Sequence, residues 1–212
     1  MNEFEKEIFE AVRNYDIEKV ETIIEQKLKI TPNDIDLLMR LAVTLINVPL
    51  VDYGKSLACL SRILEYDKKN VEATILECCI HYYHLGGIDE NLVSKINNIY
   101  VFNSDISSIK KLILSWYFAD TDKIKQLEML RGSIAINPNN VNSYVQLGSI
   151  LIEQGNVKEG RSLIKKALEN IKLVYDQNTI FDFSDFNEYL NQKVRGIHLS
   201  NENKKTIERM LF

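Results

Sequence analysis

An all-α fold, a stack of helical hairpins, is what this 212-residue sequence predicts. Three observations carry the prediction. Glycine and proline are scarce, at 8 and 3 residues, too few for a turn-rich β-sandwich. Apolar residues recur at helical spacing through most of the chain. A turn-like motif also returns at a near-constant interval, the mark of a repeat. Thr31-Pro32-Asn33-Asp34 comes back as Asn137-Pro138-Asn139-Asn140, with weaker echoes at Lys68-Lys69-Asn70 and Asn103-Ser104-Asp105. The motifs end at 34, 70, 105 and 140, so they lie 35 or 36 residues apart. Two helices and two tight turns fill such a length at about 3.6 residues per helical turn.

The period divides the chain into units 1–34, 35–70, 71–105, 106–140 and 141–174, with a tail over 175–212. The first unit carries Phe4, Ile8, Ala11, Val20, Ile24 and Pro32 at its key positions. The second offers Leu38, Leu41-Ala42, Leu45, Ser56 and Leu60, with two extra residues in the turn around Val48-Pro49-Leu50-Val51. In the third only the first helix, around Thr74, Cys78 and His81, stays in phase, and Gly86-Gly87 reads as a helix C-cap and turn. The fourth has Ile109, Leu112, Trp116, Leu130, Ser133 and Pro138.

The fifth unit is the clearest. Tyr144, Leu147, Gly148, Leu151 and Ile152 form one stripe, Gly155-Asn156 breaks the helix, and Gly160, Leu163, Ile164, Ala167 and Leu168 form the next. Gly148 and Gly160 lie mid-helix, where glycine costs up to about 1 kcal/mol against alanine. Close approach of two helix backbones is the use that explains them. In the tail, two further helices are expected, one after Ser184 as N-cap and one after Ser200.

On these residues the chain resembles the tetratricopeptide repeat, a unit of about 34 residues with a W-x2-L-G-x2-Y…A-x3-F…P pattern. Residues 141–174 place Tyr144 in the tryptophan slot, then Leu147-Gly148, and Leu151 in the tyrosine slot. Gly160 and Ala167 take the two alanine slots and Ile164 that of phenylalanine, while Lys172 stands where proline is expected. The resemblance covers about 1–174 and is degenerate outside the last unit. It implies an α-solenoid of about five hairpins with a C-terminal helical cap, and a binding face lined by the first helix of each unit. It implies no chemistry and no cofactor.

Composition narrows the function. A net charge of −4 and a pI near 5.5 argue against nucleic acid, which calls for a basic stripe. No apolar run approaches the roughly 18 residues of a membrane span, and the acidic, helix-patterned start shows no secretory signal. A cytoplasmic protein is therefore expected. Residues 1–34 hold nine acids against five bases. That excess is a solvated helix face or a docking patch for a basic partner. The three cysteines, two of them adjacent, suit reduced thiols rather than a disulfide framework.

Chemistry-bearing motifs are thin. Cys78, Cys79, His81 and His84 bring together zinc-type ligands, but on one helix Cys79 points away from Cys78 and His84 is rotated well off it. No metal site is expected. The sequence has no G-x-S-x-G elbow, Gly-rich phosphate loop or H-E-x-x-H, so no enzyme is expected either.

What remains is the first-helix face. Phe9, Met39, Val43, Ile46, Ile75, Cys79, Tyr82, Tyr83, Leu114, Tyr117 and Phe118 make it strongly apolar and aromatic. Partner binding through Tyr82, Tyr83, Tyr117, Phe118, Met39 and Phe9 is one expectation. Burial of the stripe in a tighter stack or under the tail is the other. Phe181-Asp182-Phe183-Ser184-Asp185-Phe186, three aromatics among two acids and a serine, belongs to a cap or is a recognition element. The expected function is a non-catalytic module that binds a protein or peptide, a basic one suiting the acidic start. A small acidic solenoid without an effector domain suits an immunity-type inhibitor that sequesters a partner such as a toxin. A peptide-responsive regulator, or an adaptor or co-chaperone, is the alternative.

Overall fold

The computed structural model describes residues 2–175, 181–197 and 201–212. Among them are twelve α-helices and no strand. Ten helices span the repeats: α1 (Glu3–Arg13), α2 (Ile17–Ile30), α3 (Ile35–Leu45), α4 (Tyr53–Tyr66), α5 (Val71–His84), α6 (Glu90–Asn98), α7 (Ser104–Tyr117), α8 (Lys123–Ile136), α9 (Val141–Glu153) and α10 (Val157–Asn170). Beyond them come a π-helical turn (Ile171–Tyr175), α11 (Phe186–Tyr189), a second π-helical turn (Leu190–Arg195) and α12 (Asn201–Arg209).

One local device starts these helices. Asn2, Asp16, Asp34, Asp52, Asn70, Asn103, Asp122 and Asn140 each precede a helix and accept a backbone N–H from its first turn. Asp89 does the same for α6, accepting from Leu92 at 2.8 Å. Each such cap is worth about 1 kcal/mol, because it satisfies a donor with no partner inside the helix. Among the ten repeat helices, only Asn156, ahead of α10, makes no side-chain cap bond. The residue before the second helix's cap is left-handed in three hairpins: Tyr15 (φ 54°), Val51 (φ 46°) and Gly155 (φ 86°).

The chain forms two compact units. Their described residues are 2–86, 94–100 and 181–189 in the first, and 87–93, 101–175, 190–197 and 201–212 in the second. In the first, α1 packs on α2, α2 on α3, α3 on α4 and α4 on α5. In the second, α7 packs on α8, α8 on α9 and α9 on α10. Burial is even in the first hairpin, with three residues buried in each of α1 and α2, and unequal in those that follow. Eight of the eleven residues of α3 are buried and seven of the fourteen of α5, against three in α2 and four in α4. The second unit repeats this, with seven in α7 and nine in α9 against three in α8 and four in α10. The first helices α3, α5, α7 and α9 are therefore apolar on two sides, and second helices on one narrow stripe.

The expected close approach is present. A Cβ on Gly148 would lie 2.9 Å from the Gly160 carbonyl oxygen, and one on Gly160 only 2.6 Å from that of Gly148. The Asn137–Asn140 motif also has a tertiary role. Asn140 Nδ2 donates to Ser108 Oγ at 2.9 Å, Asn137 Nδ2 to Asp105 Oδ1 at 2.8 Å, and Asn170 Nδ2 to the Pro138 carbonyl at 2.6 Å.

At the C-terminal end α12 packs on α10, and Ile207 joins Val141, Tyr144, Ile164, Ala167 and Ile171 in one cluster, which is the expected cap. The helix expected after Ser184 starts one residue later. Asp185 accepts the Glu188 N–H at 2.8 Å, because the Ser184 hydroxyl is engaged elsewhere. Ser200 lies outside the described residues.

Gly148→Leu is expected to destabilise the chain by about 1–3 kcal/mol or more, since the new side chain must push two backbones apart. In Gly132→Ala the added Cβ meets only the Lys111 side chain, at 3.7 Å. That variant should hold or gain stability, by up to about 1 kcal/mol. Thermal melts of the two decide; a Gly148→Leu variant as stable as wild type would refute the close contact.

Candidate partner-binding surface

The first-helix stripe is not an open face. Met39 is 5% exposed and Val43, Ile75 and Cys79 are 0% exposed, so the expected role of Met39 as a contact residue needs correcting. The reason lies in the tail. In the first unit residues 181–189 lie on α3, through α11, and bury Phe183, Phe186 and Tyr189. Of the other expected contact residues, Phe9 (46%) and Tyr83 (40%) are exposed, and Tyr82, Tyr117 and Phe118 are half-buried.

Polar groups fix the segment in place. The guanidinium of Arg40, in the middle of α3, donates to Ser184 Oγ from Nε at 3.3 Å and from Nη2 at 3.0 Å. Nη2 also meets Asp182 Oδ2 at 3.4 Å, and Nη1 meets Glu5 Oε2 of α1 at 3.2 Å. Ser184 in turn donates its hydroxyl to Asp182 Oδ1 at 2.6 Å and its N–H to the same oxygen at 2.9 Å. About two turns on, just past the end of α3, Asn47 Nδ2 donates to the main-chain carbonyl of Phe183 at 3.2 Å. Sequence reasoning missed Arg40 and Asn47. The available signal was Arg40 itself, the only cation in the otherwise apolar run of α3.

In the second unit the chain continues along first helices in the same manner. Asn142 of α9 donates to the Val194 carbonyl at 2.8 Å, and Arg195 Nη1 meets Asp105 Oδ1 of α7 at 2.8 Å. Val194 and Leu190 are buried there.

The aromatic residues fall into separate groups. In the first unit Tyr82 and Tyr83 meet edge to face at 5.0 Å, and His84 stacks on Tyr53 at 4.3 Å. In the second, Tyr117 and Phe118 meet edge to face at 5.1 Å, with Lys125 Nζ 5.3 Å above the Phe118 ring. Cys78 and Cys79 are both fully buried, and burial, with Cys78 alongside, pushes the Cys79 thiol well up. Among the described residues no three of His, Cys, Asp or Glu converge as metal ligands. No helix among them is long and apolar enough to cross a membrane. On the first hairpin, an open depression of about 490 Å³ sets Phe4, Ile23 and Ile30 beside Glu3 and Glu7.

Like charges oppose the docked tail. Burial first, then Asp185 and Asp36, raises the carboxyl pKa of Glu72 on α5. Burial, Asp185 and Asp182 raise that of Glu188. A carboxyl raised in the folded state binds its proton before the unfolded chain does. The repulsion is therefore present at neutral pH and is relieved as pH falls through the raised values. Glu72→Gln combined with Glu188→Gln should raise the melting temperature at pH 7 by roughly 1–2 °C, what about 0.5 kcal/mol of solvent-screened repulsion gives. At about pH 3 the gain should vanish. A double variant that melts at or below wild type at pH 7 would show that these acids do not oppose the fold.

No protein-family model matches the chain, and no curated protein is significantly similar to it. Solved structures do share its architecture. A crystal structure of MamA aligns with a TM-score of 0.57 at 20% identity, over 81% of this chain and 96% of that one. A second MamA crystal structure gives 0.55 at 19% identity, over 84% and 96%. The MamA RS-1 ArsTM double mutant gives 0.60 at 14% identity, over 82% and 96%. At these identities the likeness speaks to fold alone, and the fold is an all-helical, tetratricopeptide-like solenoid.

Proposed function

We propose that the chain is a non-catalytic protein-interaction module of the cytoplasm, acting as an immunity-type inhibitor that sequesters a partner protein such as a toxin. The observation that carries the reading is the first-helix face of the first unit, which already holds a run of peptide. Arg40 and Asn47 grip it through a hydroxyl, a carboxylate and a main-chain carbonyl. Surfaces of this kind recognise chains rather than transform them. Exposed Phe9 and Tyr83, with half-buried Tyr82, Tyr117 and Phe118, supply the large, low-entropy side chains from which hot spots are built. The acids of the first hairpin suit a basic partner, with neither nucleic acid nor membrane required. A peptide-responsive regulator is the second reading, favoured by the same occupied face.

The test is a pull-down with the product of the neighbouring gene, followed by titration of variants. Tyr83→Ala and Tyr117→Ala should each weaken binding by about 2 kcal/mol, roughly thirtyfold. Neutralising Glu3, Glu7 and Glu10 together should slow association and flatten its salt dependence, leaving dissociation little changed. Folded aromatic variants that bind as tightly as wild type would move the contact off these residues.

A further inference from the structure

We infer that the α3–α5 face of the first unit is a binding site for a linear partner segment of the form Asp-Phe-Ser-x-Phe-x-x-Tyr, and that residues 181–189 are its resident, displaceable occupant. The inference rests on the protein-binding reading above and names the ligand class of one surface. Phe183, Phe186 and Tyr189 recur every third residue and are 2%, 4% and 6% exposed, so one side of the segment is inserted throughout. Ser184 is 0% exposed and bonded to Arg40, which also holds Asp182. Asn47 binds main chain rather than side chain, a contact any sequence in the same pose can make. The side chains of Arg40 on α3 and Asn47 in its C-terminal loop donate the hydrogen bonds that hold Asp182, Phe183 and Ser184. That is how a groove holds a ligand.

Charge sets the difference between resident and preferred partner. Asp182, Asp185 and Glu188 dock against a face that already carries Glu5, Asp36 and Glu72, with Arg40 as the cation that meets the segment. The acid at the Asp182 position is matched by Arg40. The acid at the Asp185 position repels Glu72, as Asp36 also does, and its mutual repulsion with Glu188 adds to the mismatch, while its Oδ1 caps α11 at the Glu188 N–H. A segment that keeps the first acid, the hydroxyl and the three aromatics, but carries asparagine at the place of Asp185, which retains the cap without the charge, and lysine at that of Glu188, answers the face better than the tail does. The occupant is therefore a mixed-charge aromatic segment of a partner protein, with an uncharged cap residue and a base in its second half.

The experiment uses the full chain and two labelled peptides, FDFSDFNEY (the chain's own 181–189) and FDFSNFNKY, followed by fluorescence anisotropy and hydrogen exchange. Wild type should bind FDFSNFNKY at least fivefold more tightly than FDFSDFNEY, with the gap closing at about 1 M salt, where charges are screened beyond roughly 3 Å. At saturation, exchange protection should fall over 181–189 while α3 and α5 keep theirs. Phe183→Ser combined with Phe186→Ser, which releases the resident, should bind either peptide at least tenfold more tightly than wild type, and adding Arg40→Gln should remove that gain. If the released variant does not fold, exchange on wild type decides alone. Protection of 181–189 unchanged at millimolar peptide would overturn the inference and make the segment a fixed part of the core. Loss of peptide binding with the Tyr83- and Tyr117-dependent partner complex intact would sink this site alone. Peptide exchange with no protein partner captured would keep this site and sink the sequestration reading.

Discussion

First helices that are apolar on two sides cannot face water on either, and most of the structure answers that constraint. One side of α3 is met by its hairpin partner α4 and by α2 of the preceding hairpin. The other side carries Met39 and Val43, and an uncovered stripe of that kind would be large for a soluble protein. The chain supplies its own cover. Residues 181–189 bury three aromatics over α3, and 190–195 bury Leu190 and Val194 in the second unit. Second helices, which meet neighbours along one stripe, keep charged outer faces and need nothing over them.

Two kinds of local chemistry let the repeats stack at all. Asn or Asp ahead of each helix fixes where it begins, and the spacing of those caps carries the period that the motif ends at 34, 70 and 140 revealed. Close packing is then set by what is missing. Gly148 and Gly160 let α9 and α10 touch backbone to backbone, and in the second unit small hydroxyls do related work, with Ser108, Ser133 and Ser143 bonded to one another in the interior.

The sequence was a good guide wherever the information was local and periodic. Helical stripes, Gly148 against Gly160, the Gly86-Gly87 turn and the C-terminal cap were all legible from spacing and residue type. Two features were not. The inward stripe looked the same whether open or covered, because hydropathy does not say what a face meets. Ser184 read as a helix N-cap because its neighbours fit that role, whereas its hydroxyl goes to Arg40, 144 positions away, and Asp185 caps instead. Tertiary partners at that distance leave no periodic trace. In the candidate site the acids and aromatics of 181–186 were visible as a cluster, but the side chains that receive them, Arg40 and Asn47, were not.

That separation in sequence has a kinetic meaning. Within a hairpin, a bond such as Ser56 to the Ala42 carbonyl closes 14 residues, whereas Arg40 to Ser184 closes 144. Loop-closure entropy makes the longer closure about 2 kcal/mol more costly before any contact rewards it. Hairpins should therefore assemble early, on their local caps and turns, and the tail should seat last. During synthesis the repeats leave the ribosome well before residues 181–189 do. For that interval the α3 face stands bare, and a nascent chain is open to whatever binds it.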